Sequence, residues 1–413
     1  MHIVYFLKPI IHSKMAQKQD IYDNPPCRRG TDCIKYDSLR ENYGSDNLIP
    51  LWVADMDYPV AQEITDALRA KMIDPVFGYH RVPESYWQSI LDWISKNYGF
   101  TPERKELTYI PGIVRGIGFA INFFTQPGDR ILIFSPVYHP FKILTEGNGR
   151  VCVEVPLATD AETGRFGIDF ALFEEYVRNE RPKMMVLCNP HNPGGRQWQP
   201  EELERVAEIA VRYGVIVISD EIHGDLMLDG KKHYSYFSAG ENAEKTGIMF
   251  GAPSKTFNIP GLVSSWIVIR NPELREKFYS WLEVNEFSVP AFFATASTEA
   301  AYRHGERWLA CTLEYIEGNM TFLENRLEDI KGIRMIRPDA SYLVWLDCRG
   351  LGLGQADLED LFVRKAGLAL NSGTIFGKEG EGFMRLNVAL SRKELGIALD
   401  RLEAAVKETG RKI

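Results

Sequence analysis

At 413 residues the chain is longer than one ordinary hydrophobic core supports, so two domains are the first expectation. Hydrophobic residues at 45% and charged residues at 25% make a globular composition, and a net charge of −8 argues against a sequence-independent grip on nucleic acid. No stretch approaches the roughly eighteen consecutive apolar residues of a membrane-spanning helix.

The opening MHIVYFLKPIIHSKM is apolar, but it has no basic leader and is interrupted by Lys8 and Pro9. With no small-residue cleavage site after it, it is not read as a signal peptide, and Met15 offers an alternative start. From about residue 60 helix and strand patterns alternate. AQEITDALRAKM sets Ile64, Ala67, Leu68 and Met72 at a helical period. DRILIF, VCVEV, KMMVLC, GVIVIS, GIMFG and SWIVIR are short, near-continuous apolar runs, as strands covered on both faces of a mostly parallel sheet require. Between two of them, QPEELERVAEIAVRYG has Pro200 suited to a first turn, an apolar face of Leu203, Val206, Ala207 and Ala210, and Gly214 as a stop.

The predicted fold class is therefore α/β, with a large domain over 59–300. Beyond about residue 300, long amphipathic stretches precede a strand-like SYLVWLD and a closing helix from about Lys393, which predicts a smaller α+β domain over 301–413. Residues 1–58 are expected to form an N-terminal arm and part of that small domain. The six cysteines are scattered, with no C-x-x-C pair, which fits reduced thiols in a cytoplasmic protein better than a disulfide framework or a zinc site.

Ligands of open parallel sheets bind beyond the carboxyl ends of the strands. The residues just past the predicted strands are PGIVRGIG, SPVYHP, NPHNPGG, DEIHGD and APSK, so one mouth of the sheet collects Gly112, Tyr138, Asn192, Asp220 and Lys255. A lysine for a Schiff base, a carboxylate for a pyridinium nitrogen, an aromatic ring, an amide and a glycine turn at a helix start are what pyridoxal phosphate needs. Each residue has a plainer alternative. Asp220 alone reads as a helix cap, Asn192–Pro193 as a turn and Tyr138 as core. DEIHGD lacks a second His-bearing motif for a metal, and Gly112, Gly116 and Gly118 miss the dinucleotide-binding spacing. Only their conjunction at strand ends carries the reading.

Over nearly the whole chain from about Arg28, the sequence resembles the fold-type I pyridoxal-phosphate enzymes of the class I/II aminotransferase superfamily. More narrowly it resembles the MalY/PatB group of cystathionine β-lyases. The segments that carry the resemblance are RRGTDCIKYD, WVADMDYPV, VFGYHRVPESY, CNPHNPGG, VISDEIHGDL, PSKTFNIPGL and FMRLNVALSR. The resemblance implies that Lys255 is the Schiff-base lysine and that Asp220 pairs with the ring nitrogen. Asn192 would hydrogen-bond the ring hydroxyl with His223 near it, and Tyr138 would stack on the ring. Gly112 and Ile113 would give backbone N–H groups to the phosphate, helped by the Ser254 hydroxyl. Tyr79 would reach the phosphate from the neighbouring subunit of a homodimer. Arg385 would grip the carboxylate of an amino-acid substrate, with Tyr58 near it.

The chain departs from the wider superfamily at Ala252, where many relatives have a serine, and at Gly261 and Leu262, where the usual arginine is missing. Phosphate binding is therefore expected to lean on backbone rather than charge. β-Elimination from a thioether amino acid is the expected reaction, and transamination, which starts with the same proton loss, is the alternative. A non-catalytic binding protein on the same scaffold is disfavoured by the presence of both lysine and acid, and an NAD enzyme by the missing glycine fingerprint.

Overall fold

The structure, a computed structural model, describes residues 21–410; the apolar opening stretch with Lys8, Pro9 and Met15 lies outside them. A seven-stranded sheet forms the centre of the large domain. Its strands are β1 (Leu107–Ile110), β2 (Arg130–Ser135), β3 (Val151–Pro156), β4 (Met184–Cys188), β5 (Ile216–Asp220), β6 (Gly247–Gly251) and β7 (Ser265–Val268). Their spatial order is β1-β7-β6-β5-β4-β2-β3. The pairings from β3 to β6 are parallel. β7 runs antiparallel to both β6 and β1, so the expectation of a mostly parallel sheet is met with one reversed strand.

Alternate strand residues point to opposite faces, and both faces are covered. Ile131, Ile133, Val186, Ile218, Ile248 and Phe250 feed one apolar cluster. Leu132, Phe134, Met185, Leu187, Val217 and Met249 feed the other. That double burial is why these strands read as unbroken apolar runs. The helix Pro200–Tyr213 forms as its pattern predicts, with Pro200 in its first turn and Gly214 closing it in a left-handed conformation.

The small domain is an antiparallel sheet of β8 (Arg334–Ile336), β9 (Leu343–Asp347), β10 (Asn371–Ser372) and β11 (Phe383–Asn387), in the order β8-β9-β11-β10. In the N-terminal segment, Ile49–Pro50 pairs in parallel with Leu368–Ala369 as a separate two-stranded sheet. The long helix Glu306–Leu327 and the closing helix Arg392–Gly410 flank this sheet. One apolar cluster runs from Leu187 and Trp266 of the large sheet to Leu343 and Trp345 of the small one, so the two sheets share a continuous core.

A strap over residues 52–58 crosses from the small domain to the mouth of the large sheet, and several of the segments singled out in the sequence meet on it. Arg28 grips Asp55 at 2.6 Å and Asp57 at 2.8 Å, and the buried Lys35 bonds Asp57 at 2.9 Å. From β11, Asn387 donates to the carbonyls of Val53 and Asp55, each at 2.7 Å. Asn258, three residues after Lys255, accepts from the Met56 N–H at 3.0 Å and donates to the carbonyls of Met56 and Tyr58 at 2.9 Å.

Candidate active site

The strand ends of the large sheet open into a cavity of about 280 Å³. Gly112, Ile113, Tyr138 and Asn192 line it, together with Asp220, His223, Ser254 and Lys255. The ladder explains the convergence: Cys188 at the end of β4 lies opposite Asp220 at the end of β5, and Asp220 lies opposite Phe250 near the end of β6. The ends of these three strands therefore lie at one level: β5 delivers Asp220 as its own last residue, and the segments after β4 and β6 deliver Asn192 and Lys255.

Lys255 sits half-buried in the short helix Pro253–Thr256, which follows β6 directly. Its amine donates to the carbonyl of Ala54 on the strap, and the Tyr342 hydroxyl donates to the same carbonyl at 3.0 Å. Burial pulls the amine down to about 8, opposed by the charge of Asp55 and assisted by that of Arg385. Asp220 is buried and accepts one backbone bond, from Ile222 N–H at 3.1 Å. Burial pushes its carboxyl up to about 7; the Ile222 bond and the Lys255 charge pull it down, while Glu221 pushes it up.

His223 is buried, and its Nδ1 has no hydrogen-bond partner. Burial, then the charges of Lys255 and Arg385, bring it to about 3, so its ring is neutral at physiological pH. A buried, open ring nitrogen is costly unless something comes to meet it. Asn192 is also buried, and its amide oxygen accepts from Arg385 Nη1 at 3.1 Å.

Arg385 projects from the middle of β11 and reaches the cavity's edge across the domain boundary. It is buried, and it also donates to the Asn371 side chain at 2.6 Å and to the Trp52 carbonyl at 3.0 Å. The Phe376 ring lies under the guanidinium, 4.9 Å from centroid to Cζ. None of these partners is a carboxylate, so the fork keeps its capacity for an anion.

At the opposite wall, the helix Ile113–Phe124 begins at Gly112, whose φ of +98° is open to glycine and strained for other residues. No side chain caps this helix start, so its first N–H groups and its dipole suit an anion. A neutral histidine with an open nitrogen, a buried acid, an amine, a half-buried tyrosine ring and an anion-binding helix start fit a phosphorylated pyridine aldehyde. No group of His, Cys, Asp and Glu among the described residues could hold a metal ion, so DEIHGD does not form a metal cluster there.

Two expected site residues stand apart from this cavity. Tyr58 is not beside it: the ring is buried against Tyr22 and Tyr315, and the hydroxyl donates to the Leu390 carbonyl at 2.8 Å. It ties the strap to Leu390, and of the strap residues it is Ala54 that lines the cavity. Tyr79 is fully exposed and does not line the cavity of its own chain. The sequence reading also missed wall residues. Cys188, the last residue of β4, lines the cavity, as does Arg115 in the first turn of the phosphate-side helix, whose guanidinium bonds the Pro111 carbonyl at 3.3 Å. A cation on that wall tempers the expectation that phosphate binding leans on backbone rather than charge. Its signal was present in PGIVRGIG as a basic residue at the start of a helix, where a charge of that sign is otherwise unfavourable.

Residues 46–402 match the family model for aminotransferase class I and II. The cystathionine β-lyase PatB of Bacillus subtilis is 38% identical over 386 residues, which cover 93% of this chain and 99% of PatB. Cystalysin of Treponema denticola, whose crystal structure contains pyridoxal 5'-phosphate, superposes with a TM-score of 0.89 at 29% identity, covering 94% of this chain and 98% of cystalysin. The pyridoxal-phosphate-bound C–S lyase of Staphylococcus hominis superposes with a TM-score of 0.87 at 30% identity, covering 93% and 98%. With the strand-end lysine, acid and amide in place, the chain belongs to the class I and II aminotransferase family.

Proposed function

We propose that the protein is a pyridoxal-phosphate-dependent carbon–sulfur lyase, which cleaves cystathionine or a related cysteine S-conjugate to a thiol, pyruvate and ammonia. The observation that carries this reading is the meeting of Lys255, Asp220 and the open Nδ1 of His223 at one cavity. When bound, pyridoxal phosphate supplies an electron sink for the pair left on Cα of an amino acid. Lys255 is its attachment point, Asp220 holds its ring nitrogen, and Asn192 and His223 hold its ring hydroxyl. Tyr138 covers the ring, and the N–H groups of Gly112 and Ile113 with the Ser254 hydroxyl take the phosphate.

The depressed amine of Lys255 is suited to take the Cα proton, because a base near neutrality is both free and strong enough. Ala54's carbonyl gives that amine a fixed perch when it carries the proton. Arg385 grips the α-carboxylate in a planar fork and so sets which Cα bond faces the ring. Asp220 is shielded from water, so in its ionised form it acts strongly on the ring nitrogen.

The names of the relatives favour the lyase over transamination, since PatB is a cystathionine β-lyase and the Staphylococcus protein a C–S lyase. The protein acts as a homodimer in which Tyr79 of each copy completes the phosphate site of the other. Exposed Tyr79, together with Ile73, Val76 and Phe77 nearby, supports this. Scattered cysteines with no C-x-x-C pair support a cytoplasmic setting, and no described helix is long and apolar enough to cross a membrane. Incubation of the loaded enzyme with cystathionine should release pyruvate and free thiol in equal amounts without any added 2-oxo acid. Turnover only when a 2-oxo acid acceptor is supplied would replace the lyase by an aminotransferase.

A further inference from the structure

Directly behind Asp220, on the far side of β5's end, lies a second set of buried ionisable groups that the chemistry above does not use. Successive residues of an extended chain point to opposite sides, so Asp220 faces the cavity while Glu221 faces the protein interior. Glu221 is wholly buried, and its Oε1 accepts from Ser219 Oγ at 2.8 Å, Ser235 Oγ at 3.1 Å and the Tyr236 N–H at 2.8 Å. Its other oxygen lies 2.7 Å from Nε2 of His233, itself only 2% exposed at the side chain.

The other ring nitrogen of His233, Nδ1, lies 2.7 Å from Oε1 of Gln197. The orientation of that amide is set by its nitrogen, which donates to Asn189 Oδ1 at 3.0 Å, the Trp198 carbonyl at 2.7 Å and the Tyr234 carbonyl at 3.1 Å. Both ring nitrogens of His233 therefore face acceptors. Gln197 requires a proton on Nδ1, and the three donors to Glu221 Oε1 favour an ionised carboxylate whose other oxygen then takes a proton from Nε2, so the contacts fit a doubly protonated ring with Glu221 as its partner. Gly224 makes room for it, because a Cβ there would come within 3.0 Å of the imidazole. Tyr98 packs edge-on against the ring, and a further carboxylate nearby, the half-buried Asp225, is held by Trp93 and Thr256.

We propose that His233 is a positioning residue for the cofactor: as a buried imidazolium it neutralises Glu221, the neighbour of Asp220 in the chain, and so lets Asp220 keep its own charge toward the ring nitrogen. The physical need is plain. Glu221 already raises the proton affinity of Asp220, and without its cation that repulsion acts through a dry interior. Asp220 then holds a proton and cannot support a pyridinium. The inference rests on the reading of the cavity as a pyridoxal-phosphate site.

The test is equilibrium binding of pyridoxal 5'-phosphate to the apoenzyme, followed by absorbance, for wild type, His233→Gln, Glu221→Gln and the double variant. His233→Gln is expected to weaken binding by about tenfold or more, the equivalent of one pKa unit at Asp220. The double variant, which removes both charges, is expected to recover to within about threefold of wild type, the sign of coupling that cancelling two charges requires. Wild-type affinity in His233→Gln, or a double variant as weak as that single one, overturns the proposal. If His233→Gln does not fold, ring-nitrogen NMR of the wild type decides: two protonated nitrogens on His233 at neutral pH support it, one overturns it. Failure of the wild type itself to bind pyridoxal phosphate would instead remove the cofactor reading.

Discussion

The two walls of the active site are built in different ways. The large-domain wall is assembled from strand ends of one sheet and the segments that follow them, each adding one side chain: Tyr138, Asn192, Asp220, Lys255. The facing wall is assembled from pieces far apart in the chain: the strap around Ala54, Arg385 of β11, and Tyr342 and Phe376 of the small domain. On the first wall the backbone ladder does the positioning. On the second, side chains hold other side chains and carbonyls, and loss of one partner leaves another without support. Under the proposed function, the groups that act on the cofactor belong to the strand-end wall, and Arg385, assigned to the substrate carboxylate, belongs to the other.

Breaking the second wall at its centre should give the largest effect. Arg385→Lys keeps the charge but loses the fork that Asn192, Asn371 and the Trp52 carbonyl orient. The expected result is a KM for the amino acid raised by about 10–100-fold, with cofactor absorbance unchanged. Steady-state kinetics beside an absorbance spectrum checks both halves. A loss of cofactor instead would mean that the two walls do not divide the work as described.

The strand-end wall predicts a cost in stability. Lys255 has a lowered folded pKa, so the unfolded chain binds its proton more tightly, and the site destabilises the apoenzyme below about pH 8. Lys255→Met is therefore expected to stabilise the apoenzyme at neutral pH by about 1–3 kcal/mol, and the advantage should shrink as pH rises from 8 toward 10.5. Denaturant unfolding at several pH values measures it. An advantage independent of pH would place its origin in packing rather than charge.

The smallest effect belongs to Arg115, an exposed cation on the phosphate side. Arg115→Ala should raise the dissociation constant for pyridoxal phosphate about two- to fivefold, and added salt should erase the difference, as for other exposed ion pairs. No change at low salt would leave phosphate binding to the helix start alone.

This contrast also explains how much could be read from the sequence. The strand-end wall was legible because each residue follows a recognisable apolar run, and the rule for ligand sites in open sheets supplies the rest. Arg385 emerged only through resemblance, since nothing local distinguishes it from an ordinary arginine in a strand. Tyr58 was misplaced by a few residues for a related reason. The strap's direction depends on ties to Asn387, Asn258 and Arg28, which are distant in the chain, and these bring Ala54 to the cavity while Tyr58 sinks among Tyr22 and Tyr315. Arg115 and Cys188 carried too weak a local signal to stand out. The Glu221–His233 pair was visible only as letters of DEIHGD and KKHYS, because the partners that fix its protonation come from Gln197 and the loop before Tyr236.

The central claim is that Lys255 is the point where pyridoxal phosphate attaches. Purified protein supplied with the cofactor should show the visible absorbance of a lysine-bound pyridoxal group, and Lys255→Ala should lose that band while keeping its fold. A colourless wild type under saturating cofactor, or a variant that retains the band, would contradict it.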